Sequence, residues 1–270
     1  MGRRNRLPHL EMNPVAIVEA NLRTAMRFFG MATANAEVHE MDRTVAMFCG
    51  LDYGVFNLAL LTRPAGTGAE LKAAIEEAGR YFQSHAVRWS FWLCEDLLDP
   101  RARRHARQIF AEYGQRPILH PPGMLAERLA PPARALPALE CRPVTDAAMR
   151  TAFAEITTVT FEIPPAIARA VYQSELGWRG DYRGFVGFAG GRPVAIAAIV
   201  KSAGACGVYS VGTLPEFRRR GYGEALMRAA LAASGREGGP VILQSTQAGY
   251  DLYRRMGFRD VARFTVYLKS

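Results

Sequence analysis

The segment richest in chemistry runs from Val208 to Ala233. It reads as a strand, then Leu214-Pro215-Glu216-Phe217, then Arg218-Arg219-Arg220-Gly221-Tyr222-Gly223, then an alanine-rich helix. A helix start leaves backbone N–H groups unpaired and carries a partial positive charge. Glycines let the chain turn and let a ligand approach the backbone. Strand, glycine turn and helix together make an anion site. The three arginines add charge for a pyrophosphate or a further phosphate. An ordinary glycine turn would show the same Gly-x-Gly, but Pro215 ahead of it and the helix behind it favour the site. A nucleotide P-loop needs Gly-Lys-Ser/Thr, which is absent. A dinucleotide loop needs a third glycine where Leu226 stands.

Other residues offer less. His85, His105 and His120 show no triad or metal spacing, so no metal is expected. Cys49, Cys94, Cys141 and Cys206 lack Cys-x-x-Cys spacing and read as free thiols of a reducing cytoplasm. Arg63-Pro64-Ala65-Gly66-Thr67-Gly68 repeats the Arg-x-x-Gly-x-Gly spacing before a helix. Pro64 removes one donor there, and the Leu-Pro-Glu-Phe lead-in is missing. Trp89, Phe91 and Trp92 fit alternation within a buried strand better than a ligand platform.

The elements that position these residues follow from periodicity and punctuation. Ala130–Ala138 is proline-rich and aperiodic, a linker dividing the chain into 1–138 and 139–270. In the second part, Leu139–Val144 is a strand, and Thr145 and Asp146 cap a helix through Ile156. Gly184–Ala189 and Pro193–Val200 flank Gly190-Gly191, a hairpin signal. Gly207–Thr213 and Val241–Gln244 are strands. Glu224–Ala233 and Gly249–Met256 are helices, and Val261–Leu268 is a strand. The first part gives helices at Ile17–Phe29, Glu70–Phe82 and Arg101–Tyr113, and strands at Val45–Cys49, Val55–Leu61 and Trp89–Cys94. Ile109-Phe110-Ala111-Glu112-Tyr113-Gly114 aligns with Leu252-Tyr253-Arg254-Arg255-Met256-Gly257. Each follows a strand and precedes one, which suggests a duplicated unit.

Arg218-x-x-Gly221-x-Gly223 after a strand resembles the acetyl-CoA motif of the GCN5-related N-acetyltransferases. Leu252-Tyr253-Arg254-Arg255-Met256-Gly257-Phe258 resembles that family's Leu-Tyr-x-x-x-Gly-Phe segment. The resemblance covers Leu139–Ser270. It implies an α/β fold, a mixed central sheet flanked by helices, in two tandem copies. It implies direct acetyl transfer from acetyl-CoA, as co-substrate, to a primary amine on a small molecule or peptide. Val211, Gly212 and Thr213 would then offer backbone groups to the pantetheine arm. Arg218, Arg219, Arg220, Gly221, Tyr222 and Gly223 would bind the diphosphate. Glu224 is expected to point away from it. Tyr253 would donate a proton to sulfur. The acid that many members carry on the preceding strand is missing here. Glu162, Glu155 and Asp181 are the remaining carboxylates to consider, and water or a neutral amine would also suffice. The first part carries Phe110 where Tyr253 stands in the second, so it reads as a degenerate copy that shapes the acceptor cleft. A CoA-binding regulator or assembly protein without turnover is the alternative.

Bulk properties set outer limits. The formal charge is +9, with Lys72, Lys201 and Lys269 the only lysines. The arginines are scattered and no nucleic-acid motif accompanies them, so nucleic acid is not the expected partner. No stretch is long and apolar enough for a membrane helix. Met1–Asn13 lacks a secretory core, and Arg6 breaks the myristoylation pattern after Gly2. A cytoplasmic protein is expected, and a homodimer is compatible with it.

Overall fold

The computed structural model describes residues 13–235 and 239–269. The basic segment with Gly2 and Arg6, and the final Ser270, lie outside the described residues.

The first part begins with α1 (Pro14–Met26), capped by the Asn13 side chain on Val15 N–H. Strands β1 (Glu37–Glu40), β2 (Thr44–Phe48) and β3 (Leu58–Leu61) follow. Then come α2 (Gly68–Ser84), β4 (Trp89–Cys94), α3 (Pro100–Glu112), β5 (Gln115–Leu119) and β6 (Pro122–Ala126). The second part runs β7 (Glu140–Pro143), α4 (Ala147–Phe161), α5 (Pro165–Tyr172), β8 (Arg183–Ala189), β9 (Arg192–Ser202) and β10 (Ala205–Thr213). It ends with α6 (Tyr222–Ala233), β11 (Val241–Gln244), α7 (Tyr250–Arg255) and β12 (Arg259–Lys269).

Local chemistry accounts for most boundaries. Asp146 caps α4 by accepting from Met149 N–H. Gly190 and Gly191 turn the β8–β9 hairpin with φ of 57° and 78°. Helix α1 spans Pro14–Met26 rather than Ile17–Phe29, and strands β1 and β6 were not expected from the sequence. Three further departures have a local cause. The strand expected over Val55–Leu61 starts only at Leu58, because buried Asn57 ties the preceding turn to the Leu51 and Arg88 carbonyls. Helix α4 continues past Ile156 to Phe161, and Glu162, at φ 56°, ends it. Helix α5 was not anticipated; Pro164-Pro165 opens it, with proline in the first turn.

The sheet carries the main surprise. Its order is β1-β2-β3-β4-β12-β6-β11-β10-β9-β8-β7, with β5 also on β12. The series β3-α2-β4-α3-β5 recurs as β10-α6-β11-α7-β12. In each, the first two strands pair parallel. The final strands are exchanged between the parts. β6, from the first part, lies between β11 and β12. β12 starts beside β6 at Arg259–Arg263, then crosses to lie between β4 and β5 over Phe264–Lys269. Each part thus supplies a strand to the other's sheet.

Packing repeats this interlock. Helix α1 lies on the β9–β10 face, and its buried Asn21 donates to the carbonyls of Val200, Ser202 and Ala205. Asn21 Oδ1 also accepts from the Tyr209 hydroxyl at 2.7 Å. One apolar cluster joins α1 residues such as Leu22 to α4 residues such as Phe153. A second lies under α6 and α7, and a third under α2 and α3. Shared strands leave neither part a complete sheet alone. Heating the full chain is therefore expected to give one cooperative calorimetric transition. Two resolved transitions would contradict the interlock.

The four cysteines are unbridged; Cys49, Cys94 and Cys206 are buried and Cys141 half-buried. Among the described residues, no three His, Cys, Asp or Glu side chains cluster at metal-binding range. None of their helices is long and apolar enough to cross a membrane.

Candidate active site

Strands β10 and β11 pair only at Cys206↔Val241 and Gly207↔Ile242. Beyond that they part. A bulge between Tyr209 and Gly212, with Ser210 at φ 46°, turns the β10 edge as the gap opens. Val211, Gly212 and Thr213 follow the bulge. On their other side β10 stays paired with β9, through Gly212↔Ile196 and Thr213↔Ala195. The edge facing β11 has no partner strand. Gly212 has a packing reason as well: a Cβ there would meet Thr160 Oγ1 of α4 at 2.6 Å.

The arginine–glycine loop closes one end of the gap. Arg219 has φ 61° and Gly221 φ 93°, and Gly221 stands at the start of α6. Among the described residues, no backbone or side-chain group accepts a hydrogen bond from the N–H groups of residues 219–224. Unpaired amides at a helix start are the donors an anion needs. Arg218 Nε binds the Thr213 carbonyl at 3.0 Å and so ties the loop to β10. Arg219 and Arg220 are exposed. Tyr222 is buried, edge-on to Phe217. Gly223 lets α6 lie close on β10; a Cβ there would meet Thr213 Oγ1 at 3.2 Å.

Two neighbours keep the loop in shape. The Glu224 carboxylate is held by Arg228, one turn on, which also binds the Ala130 carbonyl. The linker itself braces the loop. Arg134 donates to the Arg219 carbonyl at 2.7 Å, and Pro137 Cδ lies 3.0 Å from where a Cβ on Gly221 would be. Proline density in 130–138 signalled a linker, and nothing in that composition signalled a brace.

Tyr253 sits on α7 at the opposite side of the gap. Its ring packs edge-on to Phe258, and its hydroxyl makes no hydrogen bond among the described residues. Burial pushes its ionisation up to about 12. Gly249 makes room for the ring, because a Cβ there would meet Tyr253 Cε2 at 2.7 Å.

A cavity of about 170 Å³ lies between these elements. Val208–Val211, Leu243, Gln244 and Tyr253 line it from the second part; Ala25, Met26, Phe29 and Trp92 line it from the first. Trp92 departs from the sequence expectation. Trp89 and Phe91 pack under α2 and α3, but Trp92 faces the other way, into the cavity. Alternation did imply opposite faces. It did not say that one face would meet the second part. None of the described carboxylates lines the cavity. Glu155, Glu162 and Asp181 are exposed.

The look-alike loop in the first part is differently built. The Glu70 carboxylate accepts from Gly66 N–H at 2.7 Å, and Thr67 caps Glu70 N–H. The loop's own acid fills the place a phosphate would take. Phe110, the counterpart of Tyr253, is stacked at 3.8 Å on Tyr267 of the exchanged strand.

One buried acid escaped the sequence reading. Glu19 on α1 is 6% exposed, and its Oε1 has no partner. Burial raises its ionisation to about 7, against the opposing pull of Arg23. A carboxyl raised on folding contributes stability that is full below its unfolded value and lost as pH rises through about 7. Glu19→Gln is therefore expected to stabilise the protein at pH 8 by about 2 kcal/mol and to change little at pH 4. Thermal melts at the two pH values check this; equal shifts would contradict it.

Splayed parallel strands, an amide-lined loop and a tyrosine across the gap define the acyl-CoA N-acyltransferase fold. Residues 180–260 match the family model described as "Acetyltransferase (GNAT) domain". Solved structures agree on the fold over nearly the whole chain. A GCN5-related N-acetyltransferase from Kribbella flavida is 22% identical, covers 95% of each chain and superposes with a TM-score of 0.68. One from Sphaerobacter thermophilus is 18% identical over 95% of this chain and 93% of that one, at 0.57. A functionally unknown conserved protein from Staphylococcus epidermidis is 17% identical over 86% and 92%, at 0.59. No curated protein matches the chain in sequence.

Proposed function

We propose that the chain is an acetyl-CoA-dependent N-acetyltransferase that moves the acetyl group directly to a primary amine. The match of residues 180–260 to the GNAT acetyltransferase domain model supports acetyl transfer in general. The unpaired amides of residues 219–224, at the mouth of the β10–β11 gap, carry the finer reading. In this account they hold the diphosphate, with Arg218, Arg219 and Arg220 supplying charge. Val211, Gly212 and Thr213 offer the open edge of β10 to the pantetheine arm. Backbone N–H groups there polarise the thioester carbonyl.

The amine nitrogen attacks the thioester carbon, forming a C–N bond as the C–S bond breaks. The amine's surplus proton passes to water. The departing sulfur takes a proton from the Tyr253 hydroxyl, which solvent restores. An ionisation near 12 keeps that hydroxyl protonated throughout the working range.

The first part is proposed as a degenerate second copy. Its loop is filled by Glu70 and its tyrosine replaced by Phe110, and it serves by building one wall of the cavity. The unbridged cysteines fit a cytoplasmic setting. A CoA-binding protein without turnover is the competing reading, and the cavity without carboxylates is the observation in its favour.

Thiol release from acetyl-CoA, assayed across a panel of amines, separates the two. Turnover is expected. With no acid lining the cavity, log kcat/KM should rise with unit slope to the amine's own ionisation and then level. Absence of thiol release with every amine would favour the binding protein. An alkaline fall below about pH 10 would remove a tyrosine with so high an ionisation from the proton-donating role.

A further inference from the structure

The polar groups lining the cavity divide sharply. Tyr209 is engaged with Asn21, and Ser210 with the Tyr182 hydroxyl at 2.6 Å. The Trp92 Nε1 and both polar atoms of the Gln244 carboxamide are buried and have no partner among the described residues. Buried polar atoms without partners are rare, because desolvation goes uncompensated. Strand alternation says which side Gln244 serves. Val241 and Leu243 lie in the cluster under α6, whereas Ile242 lies in the cluster beneath α1 and α4. Gln244 shares the side of Ile242, as do Trp92 and Met26. That side is opposite the helix whose start carries the diphosphate loop, so these groups face the acceptor.

Charge points the same way. No carboxylate among the described residues lines the cavity, so an ammonium ion would find no counter-ion there. The chain's formal charge of +9 repels polycations at long range. The volume, about 170 Å³, is on the scale of a cavity that takes one small ring.

We propose that the acceptor is a compact, uncharged amine: a flat ring bearing a weakly basic amino group and a carboxamide or lactam. Its carbonyl accepts from Trp92 Nε1 and the Gln244 NH₂, and its N–H donates to the Gln244 carbonyl. Met26 and Phe29 cover the ring. A weakly basic amino group arrives neutral, which removes the need for a protein base. This rests on the transferase reading for the role of the amine, but the binding claim can be tested apart from it.

The probe is 3-aminobenzamide, compared with aniline and spermidine, titrated calorimetrically into the full-length protein with and without acetyl-CoA. 3-Aminobenzamide is expected to bind at least tenfold tighter than aniline, and spermidine not to bind. Gln244→Leu, similar in size, should abolish the preference over aniline while leaving acetyl-CoA affinity within twofold. Trp92→Phe should reduce the preference at least threefold. In turnover, kcat/KM for 3-aminobenzamide should exceed that for spermidine at least 100-fold. Tighter binding or faster acetylation of spermidine would overturn the proposal. So would a preference that survives both substitutions. If 3-aminobenzamide binds as described but acetyl-CoA does not, the pocket assignment stands and the transferase reading falls.

Discussion

Replacing Tyr253 with phenylalanine is expected to lower kcat about 100- to 1000-fold and to leave acetyl-CoA affinity within about twofold. The geometry makes this a clean substitution. The Tyr253 ring packs on Phe258 and fits the space beside Gly249, and phenylalanine preserves both contacts. The hydroxyl makes no hydrogen bond among the described residues, so its loss leaves none of their groups unpaired. Stability should hardly change, and an unchanged melting temperature checks that. The whole effect then falls on the departing sulfur. A thiolate leaving without a proton from Tyr253 must wait for water in a mostly apolar cavity. Loss of affinity together with kcat would instead assign Tyr253 to packing beneath the cofactor.

The second large effect is expected at Gly221. Its φ of 93° is a conformation that side-chain-bearing residues rarely adopt, and a Cβ would lie 3.0 Å from Pro137 Cδ. Gly221→Val forces the loop out of shape or the linker off it. Either change misaligns the amides of residues 219–224. Two charge-assisted hydrogen bonds to a diphosphate contribute about 3 kcal/mol or more, so acetyl-CoA affinity should fall roughly 100-fold. The loop lies at the surface, so the fold should survive with a loss of about 1–2 kcal/mol. Calorimetric titration of the folded variant reads the first effect and a thermal melt the second. Wild-type affinity in this variant would show that the loop amides do not hold the cofactor.

Legibility in the sequence followed range of interaction. The loop at Arg218–Gly223 was legible because its chemistry is local: Gly221 for positive φ, Gly223 for close approach to β10, arginines for charge, and a helix immediately after. Val241–Gln244 and Trp89–Cys94 were legible as short apolar runs, and the structure places strands at those same residues. The exchange of β6 and β12 was not. Strand composition tells which face is apolar, but not which neighbour a strand will choose. The sequence therefore showed two similar series and concealed that each borrows a strand from the other. The cavity was half legible for the same reason. Tyr253 carried its motif, but Trp92, Met26 and Gln244 meet only because α1 and β4 cross to the second part. The second arginine–glycine loop shows the converse. Its spacing matched, but Glu70 already occupies Gly66 N–H; Thr67-x-x-Glu70 has the capping-box spacing, and Glu70 reaches one residue beyond the N-cap amide that the pattern predicts.

The most direct test is a calorimetric titration of acetyl-CoA into the full-length wild-type protein. One equivalent per chain should bind, because the loop at residues 219–224 keeps its amides open while the loop at residues 63–68 is filled by its own acid. No heat of binding, or saturation at two equivalents, would contradict the account.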